Sequence, residues 1–186
     1  MYIATTHDSH AELARRAIEH GIPVLLEKAF TMDAAEAEEL FALARDRGAF
    51  LMEAMWMRFN PAVRRVAELL ADGAIGEPRH LAASFGFPVG DPGHRLWDPV
   101  HGGGSAGRIR ILPAFWGADA FVIERPLGGI ELDVEEVRMP KVGNGYVPML
   151  EAVADALRDG RLEHELSSHA ATLRVMRAVD AVLAQV

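Results

Sequence analysis

Apolar and polar positions follow two different periods along the first third of the chain. Short segments with the length of buried strands lie at 2–6, which begins with the strand-like run Tyr2-Ile3-Ala4, and at the apolar runs 22–26 and 50–52. After each run, apolar residues recur every three or four positions, as they do on one face of a helix. The pattern predicts the order β-α-β-α-β-α, which is typical of parallel strands covered by helices.

Local signals predict where the helices begin and end. Thr31 is expected to cap the second helix, over 33–47, because its hydroxyl can accept a hydrogen bond from the first helical turn. The third helix is predicted over 58–71, with Pro61 in its first turn. Glycine follows each of the three helices, at positions where a left-handed residue commonly ends a helix.

Beyond residue 76 the pattern changes to strands separated by short turns. Strands are predicted at 79–87, 108–112, 119–124 and 130–137, an arrangement typical of an antiparallel sheet. A loop rich in glycine and proline lies at 88–107, and two helices close the chain near 146–158 and 168–185. The fold class predicted is therefore α/β with a parallel sheet, followed by an α+β part with a mainly antiparallel sheet.

Composition narrows the classes of partner. The 186 residues suffice for one domain or two small ones. With 27 acidic against 19 basic residues the net charge is −8, which disfavours nucleic acid because phosphate binding needs clustered Lys and Arg. The absence of cysteine excludes disulfides and thiolate zinc sites and fits a cytoplasmic protein. No segment is long and apolar enough to span a membrane, so no membrane partner is expected.

Lys28 follows the apolar run at 22–26, at the point where a parallel strand would end. The carboxyl ends of such strands are where α/β sheets bind ligands. Lys28 could therefore hold a substrate oxygen and transfer a proton, or it could be a solvated lysine that opens a loop. Glu27 more readily orients the loop than performs chemistry.

The segment Thr5-Thr6-His7-Asp8-Ser9-His10 follows the first strand and is expected at the same edge of the sheet. His7 and His10 could cap the helix or contact a ribose, and His10 is more readily interpreted as a surface residue of the first helical turn. No third ligand has the spacing of a metal site, so no bound metal is expected.

Aromatic and charged residues follow the third strand. Trp56 could form a pocket wall and Arg58 could hold an oxygen-rich group, or both could belong to a core cluster with one salt bridge. Arg95 and Asp98 lie in the loop rich in glycine and proline, where they are either substrate contacts or ordinary loop polarity. The residues alone leave these alternatives open.

Five segments, in the same order along the chain, resemble the Gfo/Idh/MocA oxidoreductases and most closely their dimeric dihydrodiol dehydrogenase branch. No one segment is diagnostic, but the ordered set is specific. The segments are Thr5-Thr6-His7-x-x-His10, Val24-Leu25-Leu26-Glu27-Lys28, Phe50-Leu51-Met52-Glu53-Ala54-Met55-Trp56-x-Arg58-Phe59-x-Pro61, Gly73-x-Ile75-Gly76-Glu77 and Arg95-Leu96-Trp97-Asp98-Pro99-x-x-Gly102-Gly103-Gly104.

The resemblance implies an NAD- or NADP-dependent oxidoreductase that transfers a hydride to or from a hydroxyl carbon of a sugar, polyol or dihydrodiol. It implies that Lys28 is the catalytic residue and that the substrate is a small molecule. A homodimer that pairs through the antiparallel sheet is a further possible partner. The residues that it places beside the cofactor are Thr5, Thr6, His7, His10, Glu27 and Lys28. Those that it places in the substrate pocket are Trp56, Arg58, Arg95 and Asp98.

The chain also departs from the family pattern. Residues 1–55 correspond to the C-terminal part of a Rossmann domain, and the glycine fingerprint that should precede Tyr2 is absent, so impaired cofactor binding is expected. Residues 56–186 correspond to the substrate and dimerisation domain, with an internal deletion near 104–107. Ala29 replaces the proline of the Glu-Lys-Pro signature. The alternative function is a non-catalytic dimerising module or an inactive remnant of such an enzyme.

Overall fold

The computed structural model describes residues 1–74, 120–128, 131–140 and 142–185. The chain divides into two compact units. Among the described residues, the first unit contains 1–55 and 150–185, and the second contains 56–74 and most of 120–149. The predicted strands at 79–87 and 108–112, and the loop that carries Arg95 and Asp98, lie outside the described residues.

A parallel three-stranded sheet forms the centre of the first unit. Its strands β1 (Tyr2–Ile3), β2 (Val24–Leu26) and β3 (Leu51–Glu53) lie in the order β1-β2-β3. Helices α1 (His10–Glu19) and α2 (Ala34–Asp46) connect them. β2 is buried throughout, which explains its unbroken apolar run. The predicted parallel α/β layer is thus confirmed.

Two helix starts differ from the sequence prediction. Asp33, not Thr31, caps α2: its carboxylate accepts from the Glu36 N–H at 2.9 Å, whereas the Thr31 hydroxyl donates to the Asp33 carbonyl at 2.7 Å. Helix α3 (Pro61–Ala71) begins three residues later than predicted, because residues 56–59 form a 3₁₀ turn and the Asn60 side chain caps the helix. The prolyl residue therefore takes the first helical position, where its missing N–H costs nothing.

Helix α5 (His169–Leu183) packs in the first unit, against α2. The aromatic rings of Phe30, Phe41 and His169 stack in sequence, with centroids 4.7 Å and 4.2 Å apart. The Asp180 carboxylate accepts from the Ala34 N–H at 2.9 Å, which places a negative charge at the N-terminus of α2. From the sequence this helix is grouped with the second domain, and the structure places it with the first unit because these contacts join it to α2.

The C-terminal segment also covers the edge of β3. The Leu51 N–H donates to the Leu162 carbonyl at 3.0 Å, and the His169 ring lies 2.8 Å from the Leu51 carbonyl. The Ser167 hydroxyl donates to the Glu53 carbonyl at 3.1 Å. A buried strand edge needs partners for its polar backbone groups, and here residues more than a hundred positions later in the chain provide them.

The second unit contains α3 and an antiparallel pair, β4 (Ala120–Gly128) and β5 (Glu131–Arg138). Both strands confirm the prediction, and β4 extends four residues further than expected. Helix α4 (Val147–Arg158), whose residues from Leu150 onward belong to the first unit, follows a turn at 142–146 and ends before Gly160, as predicted. Within the described part of the chain, no helix has the length and hydropathy needed to cross a membrane.

Candidate active site

The carboxyl ends of β1 and β2 bring two predicted site segments together. The loop after β1 carries His7 in a 3₁₀ turn, and the loop after β2 carries Lys28, whose side chain is exposed. The Ala29 N–H donates to Nε2 of His7 at 3.3 Å, so the two loops are in direct contact. Because that nitrogen accepts, the proton of a neutral His7 ring is on Nδ1.

Glu27 holds the backbone that precedes the lysine. Its Oε1 accepts from the Tyr2 hydroxyl at 2.5 Å, and its Oε2 accepts from the Lys28 N–H at 3.0 Å. Its own N–H donates to the Ile3 carbonyl at 2.9 Å, which extends the β1–β2 pairing by one bond. Glu27 therefore links the end of β1 to the peptide that carries Lys28. The peptide bond between Lys28 and Ala29 is cis.

His10 is buried, with no exposed surface, so its interpretation as a surface residue is wrong. Its Nδ1 lies 3.0 Å from the Ala29 carbonyl and 3.2 Å from that of Phe30, while Nε2 lies 3.2 Å from the Thr5 carbonyl. Both ring nitrogens thus face backbone oxygens of the two loops. The ring fills the space between the loops and fixes the loop of Lys28 against that of Thr5.

Hydroxyl groups shape the loop after β1. The Ser9 hydroxyl donates to Thr5 Oγ1 at 2.7 Å and lies 2.8 Å from the Thr6 carbonyl. Thr6 precedes the 3₁₀ turn in an extended conformation and is half-buried, whereas Thr5 is exposed. These contacts hold the backbone of the loop in a defined shape at the edge of the sheet.

The predicted pocket residues lie in the second unit or outside the described chain. Trp56 and Arg58 belong to the 3₁₀ turn that precedes α3, and both are half-buried. The Trp56 ring stacks on Tyr146, with centroids 5.3 Å apart and planes 18° from parallel. Arg95 and Asp98 are outside the described residues, so their assignment stays a prediction.

Several residues that support the site have no strong signal in the sequence. In the sequence, Tyr2 has the pattern of an ordinary strand residue. Its hydroxyl reaches Glu27 because β1 and β2 are paired. Glu53 is buried at the end of β3, where its Oε2 accepts from the Thr172 hydroxyl at 2.8 Å. The available signal for Glu53 is that a charged residue directly follows an apolar run, because a carboxylate buried there needs a hydrogen-bond partner.

His169, at the start of α5, is a buried titratable group whose pKa is displaced by its surroundings. Burial lowers the pKa of His169 below its ordinary value of 6.5, although the Leu51 carbonyl and the Glu163 carboxylate favour the charged ring. Among the residues that the structure describes, no three His, Asp or Glu side chains form a group suited to a metal ion.

Comparison with known proteins shows which family the parallel sheet and its loops, within residues 1–55, resemble. A family model described as an oxidoreductase family with an NAD-binding Rossmann fold (GFO_IDH_MocA) matches residues 1–55. The dTDP-3,4-didehydro-2,6-dideoxy-alpha-D-glucose 3-reductase of Actinomadura kijaniata is 40% identical over 124 residues, which cover 64% of this chain and 37% of that protein. The trans-1,2-dihydrobenzene-1,2-diol dehydrogenase of Mus musculus is 42% identical over 103 residues, which cover 55% of this chain and 31% of that protein.

A crystal structure of a 3-ketoreductase from Actinomadura kijaniata, in complex with TDP-benzene and NADP, matches the fold with a TM-score of 0.74 and 25% identity. The match covers 98% of this chain and 77% of that one. The matches to the two curated relatives span only about a third of their length, 37% and 31%. The resemblance predicted from the sequence is confirmed: the Gfo/Idh/MocA family model matches residues 1–55, and parts of the chain are 40% and 42% identical to a sugar reductase and a dihydrodiol dehydrogenase.

Proposed function

We propose that this chain acts as an NAD(P)-dependent oxidoreductase on a hydroxyl carbon of a sugar, polyol or dihydrodiol, with Lys28 as its catalytic residue. One observation carries the proposal: Lys28 is exposed at the carboxyl end of β2, on a backbone that Glu27 and His10 hold against the end of β1. This edge of a parallel sheet is the ligand side of α/β folds.

The donor groups at this edge suit the nicotinamide end of the cofactor. The hydroxyls of Thr5 and Thr6, together with the His7 ring, can hydrogen-bond to ribose hydroxyls. His10 acts differently, since its ring nitrogens already face three backbone carbonyls and it supports the loops from within. We propose NADP as the first cofactor to test, because the 3-ketoreductase structure contains it.

A bound nicotinamide supplies or takes up the hydride. The part of Lys28 is to move the proton that balances it. During reduction of a carbonyl, its ammonium group donates a proton to the carbonyl oxygen, and during oxidation its amine takes the proton from the hydroxyl. Glu27 has a positioning role. Its carboxylate accepts from the Lys28 N–H and thereby fixes the backbone from which the Lys28 side chain extends.

We further propose that Trp56, Arg58, Arg95 and Asp98 line the substrate pocket and that two copies dimerise through the β4–β5 sheet. Val122 and Val134 support the second idea: they lie on the same face of the sheet and are 55% and 58% exposed. The same face supports the alternative function, a dimerising module without catalysis. The absence of cysteine supports a cytoplasmic location.

The chain offers a matched pair of lysines for the decisive experiment, because Lys28 and Lys141 are its only two. Turnover would be followed at 340 nm with NADPH or NADH and a panel of aldoses, polyols and trans-dihydrodiols. We expect Lys28→Ala and Lys28→Arg to lower kcat at least about a hundredfold, because neither replacement can exchange a proton near neutral pH. Lys141→Ala is expected to retain activity. Equal activity in the Lys28 variants and the unmutated chain would refute the catalytic assignment.

Cofactor binding is tested separately by titrating the chain with NADPH and following nucleotide fluorescence. We propose that these 186 residues bind the cofactor weakly, because residues 1–55, which match the NAD-binding family model, contain no Gly-x-Gly-x-x-Gly segment to hold the pyrophosphate. A micromolar dissociation constant would contradict this proposal. If the chain shows no nicotinamide-dependent turnover at millimolar cofactor but dimerises in sedimentation experiments, the dimerising module is the better description.

A further inference from the structure

Trp56 lies against the turn that precedes α4. The turn comprises residues 142–146, and we call it the Trp56 clamp. Tyr146 stacks on the indole ring with its centroid 5.3 Å away and its plane only 18° from parallel. Two rings in this arrangement restrict each other, because sliding or tilting either one loses contact area and the offset-stacked geometry that aromatic pairs prefer.

Gly145 approaches the same ring so closely that no side chain fits between them. A Cβ atom at this position would lie 2.6 Å from Cζ3 and 3.1 Å from Cε3 of Trp56. Its φ of +97° is also in the region of backbone conformation that residues other than glycine rarely adopt. Gly145 therefore bounds the indole along one edge of its six-membered ring, while Tyr146 bounds it through stacking.

The Trp56 clamp is itself held in shape by internal contacts. The Gly145 N–H donates to the Val142 carbonyl at 3.2 Å, and the Asn144 side chain accepts from the Tyr146 N–H at 3.2 Å. Gly143 has a φ of +57°, and a Cβ there would lie 2.8 Å from the side chain of Val147, the first residue of α4. A turn fixed in this way can hold its aromatic residue in one orientation.

We propose that the Trp56 clamp sets the orientation of Trp56 and thereby the shape of the substrate pocket, with Gly145 and Tyr146 as positioning residues. The proposal rests on the proposed function, in which Trp56 is a pocket wall. A displaced indole should weaken substrate binding and leave the proton transfer by Lys28 unchanged. The expected signature is a higher KM with little change in kcat.

Fluorine NMR of the chain labelled with 5-fluorotryptophan tests the orientation directly. The chain has three tryptophans, and Trp56→Phe identifies the resonance of Trp56. We expect Gly145→Ala and Tyr146→Leu to move this resonance. Tyr146→Phe keeps the stacked ring and should leave the Trp56 resonance close to its original position.

Gly160→Ala is the matched control. Gly160 follows the other end of α4 with a φ of +67°, and a Cβ there meets nothing within 4 Å. This variant has the same kind of backbone strain without the collision, so it should leave the Trp56 resonance unmoved. If Gly145→Ala does not fold, Tyr146→Leu provides the same test through the stacking contact.

Kinetics connect the orientation to the pocket. We expect KM to rise roughly threefold to tenfold in Gly145→Ala, which corresponds to the loss of one aromatic contact, and to remain unchanged in Gly160→Ala. An unmoved Trp56 resonance in both clamp variants would refute the proposal, and so would a moved resonance with unchanged KM. An unmutated chain without turnover would refute the proposed function instead, while the NMR result would still decide whether the clamp orients Trp56.

Discussion

Replacement of Thr172 by valine should destabilise the first unit through a single hydrogen bond. Thr172 is 1% exposed and Glu53 is 5% exposed, so water cannot replace the lost donor without entering the core. The Thr172 hydroxyl donates to Oε2 of Glu53 at 2.8 Å, and valine has nearly the same shape without the hydroxyl. The change thus removes the bond and retains the packing.

Hydrogen bonds to charged groups contribute about 1.5–3 kcal/mol to stability, and a buried carboxylate that loses a donor is at the upper part of that range. We expect Thr172→Val to lower the free energy of unfolding by about 2 kcal/mol. For a chain of this size, that loss corresponds to a decrease in Tm of roughly 4–8 °C.

Urea denaturation followed by far-UV circular dichroism measures the loss as a shift of the midpoint at constant slope. Thr172→Ser is the matched control, since it keeps the hydroxyl and removes one methyl group, which costs about 0.8 kcal/mol. Valine should therefore be clearly worse than serine. A valine variant within about 0.5 kcal/mol of the unmutated chain would show that the bond between Glu53 and Thr172 does not hold α5 to β3.

Three further outcomes follow from the described contacts. Tyr2→Phe should lower kcat roughly threefold to tenfold in steady-state assays, because Glu27 loses the donor that fixes it, and unchanged kinetics would remove Tyr2 from the site. Asp33→Ala should cost about 1 kcal/mol in urea denaturation and Asp33→Asn less, because only the latter keeps an acceptor for the first turn of α2. The pKa of His169 lies below 6.5 in the folded chain, so the unfolded chain binds the proton more tightly and stability should fall as the pH drops below 6.5. Denaturation between pH 7.5 and 5.5 should show this slope, and His169→Gln should flatten it.

Local structure in this chain follows closely from its sequence. The apolar run of β2 and the glycines after α1 and α2 predict the strands and helices of the parallel sheet. Strand burial and helix termination depend on residues only a few positions apart, so the sequence shows them directly. The cap of α2 shows the limit of such signals. Thr31 and Asp33 both have suitable side chains, and the carboxylate takes the capping position while the hydroxyl bonds to the backbone of Asp33.

Burial of polar residues was less predictable. The helical pattern of α1 gives no reason to bury His10, since a polar residue in a first turn is commonly exposed. The residue is buried because three carbonyl oxygens from two different loops surround its ring. Those loops are neighbours because β1 and β2 pair in parallel, and the pattern of residues along α1 contains no information about that pairing.

The position of Lys28 depends on this same kind of distant contact. β2 is held on one side by β1 and on the other by β3, where the Ala54 N–H donates to the Leu26 carbonyl at 2.8 Å. β3 is held in turn by the C-terminal segment through Leu162, Ser167 and His169. The strand that precedes Lys28 is therefore connected, through β3, by hydrogen bonds to residues near the C-terminal end of the sequence. We therefore expect a substitution that removes the His169 ring from α5 to disturb the backbone of β3 and, through the β2–β3 pairing, the loop that carries Lys28.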